Sequence, residues 1–307
     1  MSVLVELPRD RSALCLADWM EVNAFLDEVD YSSSLEDIAS ELNTSSSLSN
    51  EEMENIRADV TTELLSRVRK LKDAYPFKFD GLILEVKDPG RHDKQWAYIL
   101  CLFISYIGVQ NGEIKVKIWN KDKITSLFEE VSAIAAKNFL SHPESEADLL
   151  RFGAPRSSWP NNDRPFRKAL KILKQRLGEG EILLRANDFR QKDAGLDIIA
   201  WRNFPDYRPG RLLLLCQCAA GGDYKAKKYE LLHFNNFFSI RSAYSQALFV
   251  PHELEGGEWE EYGFDSKLGI TFDRGRIGWH AKEWDGAGFK EKFAKIKKGI
   301  KTYRKAL

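Results

Sequence analysis

Cysteine is scarce in this chain, with four residues (Cys15, Cys101, Cys216 and Cys218), and none of them forms a Cys-x-x-Cys pair. A chain of 307 residues can build a core without disulfides, so a reduced compartment fits and a disulfide framework is not needed. Cys216 and Cys218 alternate on an expected strand and read as a buried small pair, because zinc would want more Cys or His nearby. The five histidines are scattered with no His-x-x-x-His pair, which leaves zinc hydrolase chemistry unsupported. No apolar run approaches the ~20 residues of a membrane helix. Met1–Glu6 has neither the basic start nor the long apolar stretch of a signal peptide. There is no Gly-x-x-x-x-Gly-Lys-Ser/Thr loop, so any energy-dependent translocation would need a separate subunit. A cytoplasmic protein with no membrane partner is expected.

What is present is a globular composition, 43% hydrophobic and 30% charged, with 46 basic residues balancing 46 acidic ones. The balance hides an asymmetry. Residues 1–60 are acidic, with Arg9, Arg11 and Arg57 their only bases, and residues 290–307 are basic, with Glu291 their only acid. Repulsion from phosphates makes the acidic region a poor nucleic-acid surface, so it is expected to meet a protein partner or to shield the basic regions. In the tail, Phe289, Phe293, Ile296 and Ile300 recur at helical spacing. Its lysines, Lys295 and Lys298 among them, read either as a solvated face or as phosphate contacts. Arg274 and Arg276 lie on an expected basic turn, with the same two readings.

Periodicity and punctuation predict a strand at Val3–Leu7, then helices over Leu14–Leu26 and from Ser49 or Asn50 to about Asp73. A strand at Leu82–Val86, an apolar helix at Trp96–Ile107, a strand at Glu113–Trp119 and a helix at Ile124–Leu140 follow. The proline-bearing loop 142–160 is the expected boundary between a mainly helical N-terminal domain, 1–150, and a second domain, 151–307. That second domain reads as helix Phe166–Leu177, strands Glu181–Arg185, Leu196–Trp201 and Leu212–Cys218, helix Tyr224–Phe237 and strand Ala247–Val250. Such an order describes an α/β fold, a mixed central sheet flanked by helices.

Asp193-Ala194-Gly195-Leu196-Asp197-Ile198-Ile199-Ala200 enters the second of those strands, and Leu214-Leu215-Cys216-Gln217-Cys218 ends the third. Over about Asn161–Val250 the chain resembles the PD-(D/E)XK nuclease superfamily, in its Mrr-type restriction endonuclease-like branch. The resemblance implies a restriction endonuclease-like core and metal-dependent cleavage of nucleic acid, DNA favoured, in restriction or phage defence. It makes Asp197 the main ligand of Mg²⁺ or Mn²⁺ and Gln217 the second ligand, in place of the more usual Glu. Elementary chemistry agrees: phosphodiester hydrolysis needs a hard cation, and such ions take oxygen donors. The alternative for Asp193 and Asp197 is a polar turn before a buried strand.

Two departures stand out. Where the family's lysine is expected, two residues after Gln217, stands Ala219. Lys225 is the candidate for a migrated lysine, with Lys228 next. Phe166-Arg167 offers arginine where the first core helix usually carries an acid, and Glu129 in the preceding helix is the nearest substitute. Hence a second reading, a catalytically inactive nuclease fold that binds nucleic acid or a protein partner. Asp80-Gly81-Leu82-Ile83-Leu84-Glu85-Val86-Lys87 holds a literal Glu-x-Lys, but both acids share one strand, so it reads as surface alternation.

Overall fold

A computed structural model describes residues 5–304, apart from 6, 28, 46–47, 89–94, 109–120, 157, 184–191, 207, 209, 222–223, 225–229, 255–256 and 258–268. The strand expected at Glu113–Trp119, most of the one at Val3–Leu7, and the side chains of Lys225 and Lys228 lie outside the described residues. Packing divides the chain into two units. The first holds Met1–Leu127, Pro251–Glu253 and Arg274–Leu307, and the second Phe128–Val250 and Leu254–Asp273.

The first unit is built on α1 (Ala13–Leu26), which is buried from Cys15 to Leu26. Strand β1 (Ser32–Ser34), helix α2 (Leu35–Ser45) and helix α3 (Asn50–Leu71) follow. The start of α3 is a capping box: the Glu52 N–H donates to Ser49 Oγ, and the Ser49 N–H donates to the Glu52 carboxylate. Strands β2 (Phe77–Phe79) and β3 (Ile83–Val86) complete a small antiparallel sheet in the order β1-β3-β2. In it Glu85 pairs with Lys78, and Lys87 Nζ donates to the Lys72 carbonyl, so the Glu-x-Lys there is engaged locally. Helix α4 (Trp96–Gly108) is almost wholly apolar and buried.

Within this unit lies a buried ionic network. Asp18, Glu21, Arg67 and Arg274 are each no more than 1% exposed. Arg67 Nη1 donates to both Asp18 and Glu21 at 2.7 Å, and its Nε to Glu63 at 2.7 Å. Glu21 also accepts the hydroxyls of Tyr75 (2.7 Å) and Tyr98 (2.9 Å). Burial alone raises the Asp18 carboxyl, but Arg274 and Arg67 outweigh it and hold it below the ordinary carboxylate value. Two acids of the acidic N-terminal stretch are therefore neutralised inside the unit.

The second unit carries a five-stranded mixed sheet flanked by helices. Helix α5 (Lys121–Leu140) spans the division between the units and leads to β4 (Asp148–Arg151) and α6 (Phe166–Leu177). Strand β5 (Glu181–Ile182) is short; β6 (Ile198–Arg202), β7 (Leu212–Cys218) and α7 (Glu230–Phe234) come next. Strands β8 (Phe238–Ser239), β9 (Tyr244–Phe249) and β10 (Ile270–Phe272) complete the unit. The sheet order is β10-β9-β7-β6-β4, antiparallel across β4, β6 and β7 and parallel across β7, β9 and β10. The strand expected at Glu181–Arg185 instead pairs its first two residues with β8 in a separate ribbon, and β4 takes the place beside β6.

The division differs from the expected 150/151 boundary on two counts. Residue 150 lies inside a hydrogen-bonded strand, where Leu150 pairs with Ile199. The basic tail, α9 (Phe289–Arg304), belongs with the first unit: Phe293 packs against Phe25, Trp96 and Phe103. Arg274, expected on a surface turn, opens helix α8 (Arg274–His280) and is fully buried against Asp18, so it is not a phosphate-contacting side chain. Arg276, two residues further along the same helix, is exposed, as are Lys295 and Lys298.

Candidate metal and catalytic site

Alternation sets the two faces of the second unit's sheet. Leu150, Ile199, Trp201, Leu213 and Leu215 pack with the apolar side of α6 and with α7. Arg151, Ile198, Cys216 and Cys218 belong to the other face, where Ser132 and Glu129 of α5 meet them. Gln217, 3% exposed, falls by the same alternation on the α6 face.

Asp197 stands immediately before β6, where the ladder to β7 gives way to other bonds. Its N–H donates to the Cys216 carbonyl (3.0 Å), and its carbonyl accepts from Phe152 (2.7 Å) and Gly153 (2.8 Å). Its Oδ2 accepts the Cys218 backbone N–H at 2.7 Å. A side chain at position 153 would crowd this carboxylate, since a Cβ there would lie 2.9 Å from Asp197 Oδ1. Glycine at 153 is therefore part of the site.

Glu129 approaches the same strand end from α5. Burial pushes the Cys218 thiol well above its ordinary value, and the charges of Asp197 and then Glu129 push it further, against a hydrogen bond with Ser132. Both carboxylates thus raise the same thiol. Arg151 of β4 holds Glu129 with Nη2 at 3.4 Å and approaches Glu130 with Nη1 at 3.7 Å. Cys216 is likewise raised by burial and by Asp197. Both thiols therefore stay protonated near neutrality.

Asp193 plays a different part. It opens a tight turn closed by Leu196 N–H donating to the Asp193 carbonyl (3.2 Å), with positive φ at Ala194 (56°) and Gly195 (83°). Its carboxylate accepts the N–H groups of Gly195 (3.1 Å) and Ala154 (3.2 Å). Arg156, 5% exposed, donates to the carbonyls of Lys192 (2.8 Å) and Arg164 (3.0 Å) and lies over the Phe152 ring. Burial lowers its pKa, with Asp193 opposing. The Phe152–Arg156 segment, part of the loop 142–160 expected as the domain boundary, thus braces Asp197 and the turn before it.

Ala219 is fully buried in an apolar cluster with Tyr224, Leu248, Val250 and Leu254. Gly153, Arg151 and Arg156 were not singled out by sequence reasoning as site residues; a lone glycine or arginine carries no local signal of an acid that is distant in sequence, as Asp197 is from Gly153 and Glu129 from Arg151. Among the described residues no cluster of three or more His, Cys, Asp or Glu side chains forms a ready metal cage. The chain matches no protein-family model, no curated protein and no solved structure.

Proposed function

We propose that the second unit is a metal-dependent nuclease of the PD-(D/E)XK kind, similar to the Mrr-type restriction endonuclease-like branch, acting on nucleic acid and on DNA first of all, in restriction or phage defence. The observations that carry this reading are Asp197 Oδ2 on the Cys218 N–H at the end of β7 and Glu129 paired with Arg151 of the neighbouring β4. The strand series supports it as well. Strands β4, β6 and β7 run antiparallel, and α7 then leads to β9, parallel to β7. Glu129 then lies on the helix before the first of these strands, where the family keeps an acid.

Asp197 and Glu129 are the oxygen donors that would hold Mg²⁺ or Mn²⁺; Gln217, the second ligand that the resemblance implies, falls on the α6 face of the sheet, opposite Glu129. When bound, the ion supplies charge neutralisation at the phosphate and acidifies a water. The chain's own residues set the stage. The Cys218 N–H fixes one oxygen of Asp197, Gly153 leaves room beside the other, and Arg151 orients Glu129. Lys225 is the proposed donor to charge that develops on the phosphate, with Lys228 as its neighbour.

Ala219 favours a second reading. The position that carries the family's lysine is a buried apolar residue, which suits a silent nuclease fold that binds nucleic acid without cutting it. Calorimetric titration with Mn²⁺ tests the metal assignment. Wild type should bind more tightly than Asp197→Ala and prefer Mn²⁺ or Mg²⁺ over Zn²⁺; equal binding by the two proteins would sink it.

A further inference from the structure

Helix α6 buries Phe166, Ala169, Leu170, Leu173 and Leu177 and turns Arg167, Lys168, Lys171, Lys174 and Arg176 to solvent. It contains no acidic residue. Arg167, Lys171 and Lys174 follow an i, i+4, i+7 stripe, with Lys168 beside it, about 10 Å long at 1.5 Å per residue. Among the described residues none of these four has a carboxylate within ion-pair distance, although other surface cations of the unit, such as Arg241 with Glu181, do.

This arrangement works against the helix. Like charges at i,i+3 and i,i+4 repel one another and destabilise a helix. Arg167 and Lys168 also sit in the first turn, at the positive end of the helix dipole, where acids are favoured and none is present. The apolar face keeps the helix in place despite that cost. An uncompensated row of cations fits a polyanion that neutralises it.

We infer that the outer face of α6 is a contact surface for the phosphate backbone of duplex DNA. The choice of partner rests on the nuclease reading of this same unit. The exposed face carries no aromatic side chain on which single-stranded bases would stack, so the contacts go to phosphates. The high charge density of a duplex suits a closely spaced stripe. Such contacts position the substrate and carry no sequence information.

The test is fluorescence anisotropy of the full chain with duplexes of unrelated sequence, in EDTA and over a salt series. Lys171→Glu should weaken binding about 10-fold or more, equally for all duplexes. Lys171→Gln/Lys174→Gln should reduce the slope of log affinity against log salt by about 2, one for each lost phosphate contact. Lys171→Glu lies between Arg167 and Lys174, so its thermal midpoint should stay equal or rise, which separates lost contacts from lost folding. Lys70→Glu, the same charge change on exposed α3, should leave affinity nearly unchanged. No loss in the α6 variants, an equal loss in Lys70→Glu, or no duplex binding by wild type overturns the inference. Lysine-dependent binding without any cleavage would keep it while removing the nuclease reading.

Discussion

Arg274 and Asp18, 256 residues apart, meet in a two-pronged ion pair, with Nη1 to Oδ2 at 3.0 Å and Nη2 to Oδ1 at 2.5 Å. Neither side chain reaches water. Removing one partner leaves a buried charge uncompensated, at a cost of about 3–5 kcal/mol. Arg274→Ala should therefore lower the stability of the first unit by that order in chemical denaturation. Arg274→Lys should recover only part, because an ammonium lacks the planar fork. A loss under about 1 kcal/mol for Arg274→Ala would contradict the network's role.

The same pair predicts a pH dependence. Asp18 is held below the ordinary carboxylate value by Arg274 and Arg67, against the effect of burial. A depressed folded-state value contributes stability that is present above the unfolded value, about 3.9, and is lost as pH falls toward the folded one. The stability gap between wild type and Asp18→Asn should be constant above about pH 5 and narrow below about pH 4. A gap that widens on acidification would reverse the sign.

Local signals were legible where the physics is local. The Ser49–Glu52 box, the apolar stripe of α6 and the continuous run of β7 all appear at the expected residues, because caps, helical spacing and buried strands depend on neighbours in sequence. β4 was missed. It is four residues long and only partly buried, and its partner β6 comes some 50 residues later. Arg274 was misread as a surface cation for the same reason: nothing near Asp273-Arg274-Gly275-Arg276 announces Asp18. At the candidate site, the turn before Asp197 and the strand after it were legible. The support of Asp197 from Gly153 and the nearness of Glu129 are products of tertiary structure.

Gly153 supplies a test of that support. Gly153→Ala would set a methyl 2.9 Å from Asp197 Oδ1 and 3.3 Å from its Cα. The carboxylate must shift, and a misplacement near 1 Å can cost up to ~100-fold in rate. Cleavage should fall by about that factor while DNA affinity in EDTA holds. An unchanged rate would remove Asp197 from the chemistry or show that the loop yields freely.

Lys225 lies outside the described residues, and its role is tested by kinetics. Lys225→Ala should slow cleavage at least ~100-fold, the scale of losing one oriented donor to developing charge. Lys227→Ala should change little, since on the helix expected from sequence at Tyr224–Phe237 residues two apart would not share a face. Similar rates for Lys225→Ala and wild type would refute the migrated lysine.

The nuclease reading itself is tested most directly by cleavage of duplex DNA in Mg²⁺ or Mn²⁺ by wild type, Asp197→Ala and Glu129→Gln, with folding of each checked by circular dichroism. Metal-dependent cleavage by wild type, abolished in Asp197→Ala and strongly reduced in Glu129→Gln, is the expected result. Metal-dependent cleavage that survives in Asp197→Ala, or none by wild type on DNA that it binds, would contradict the account.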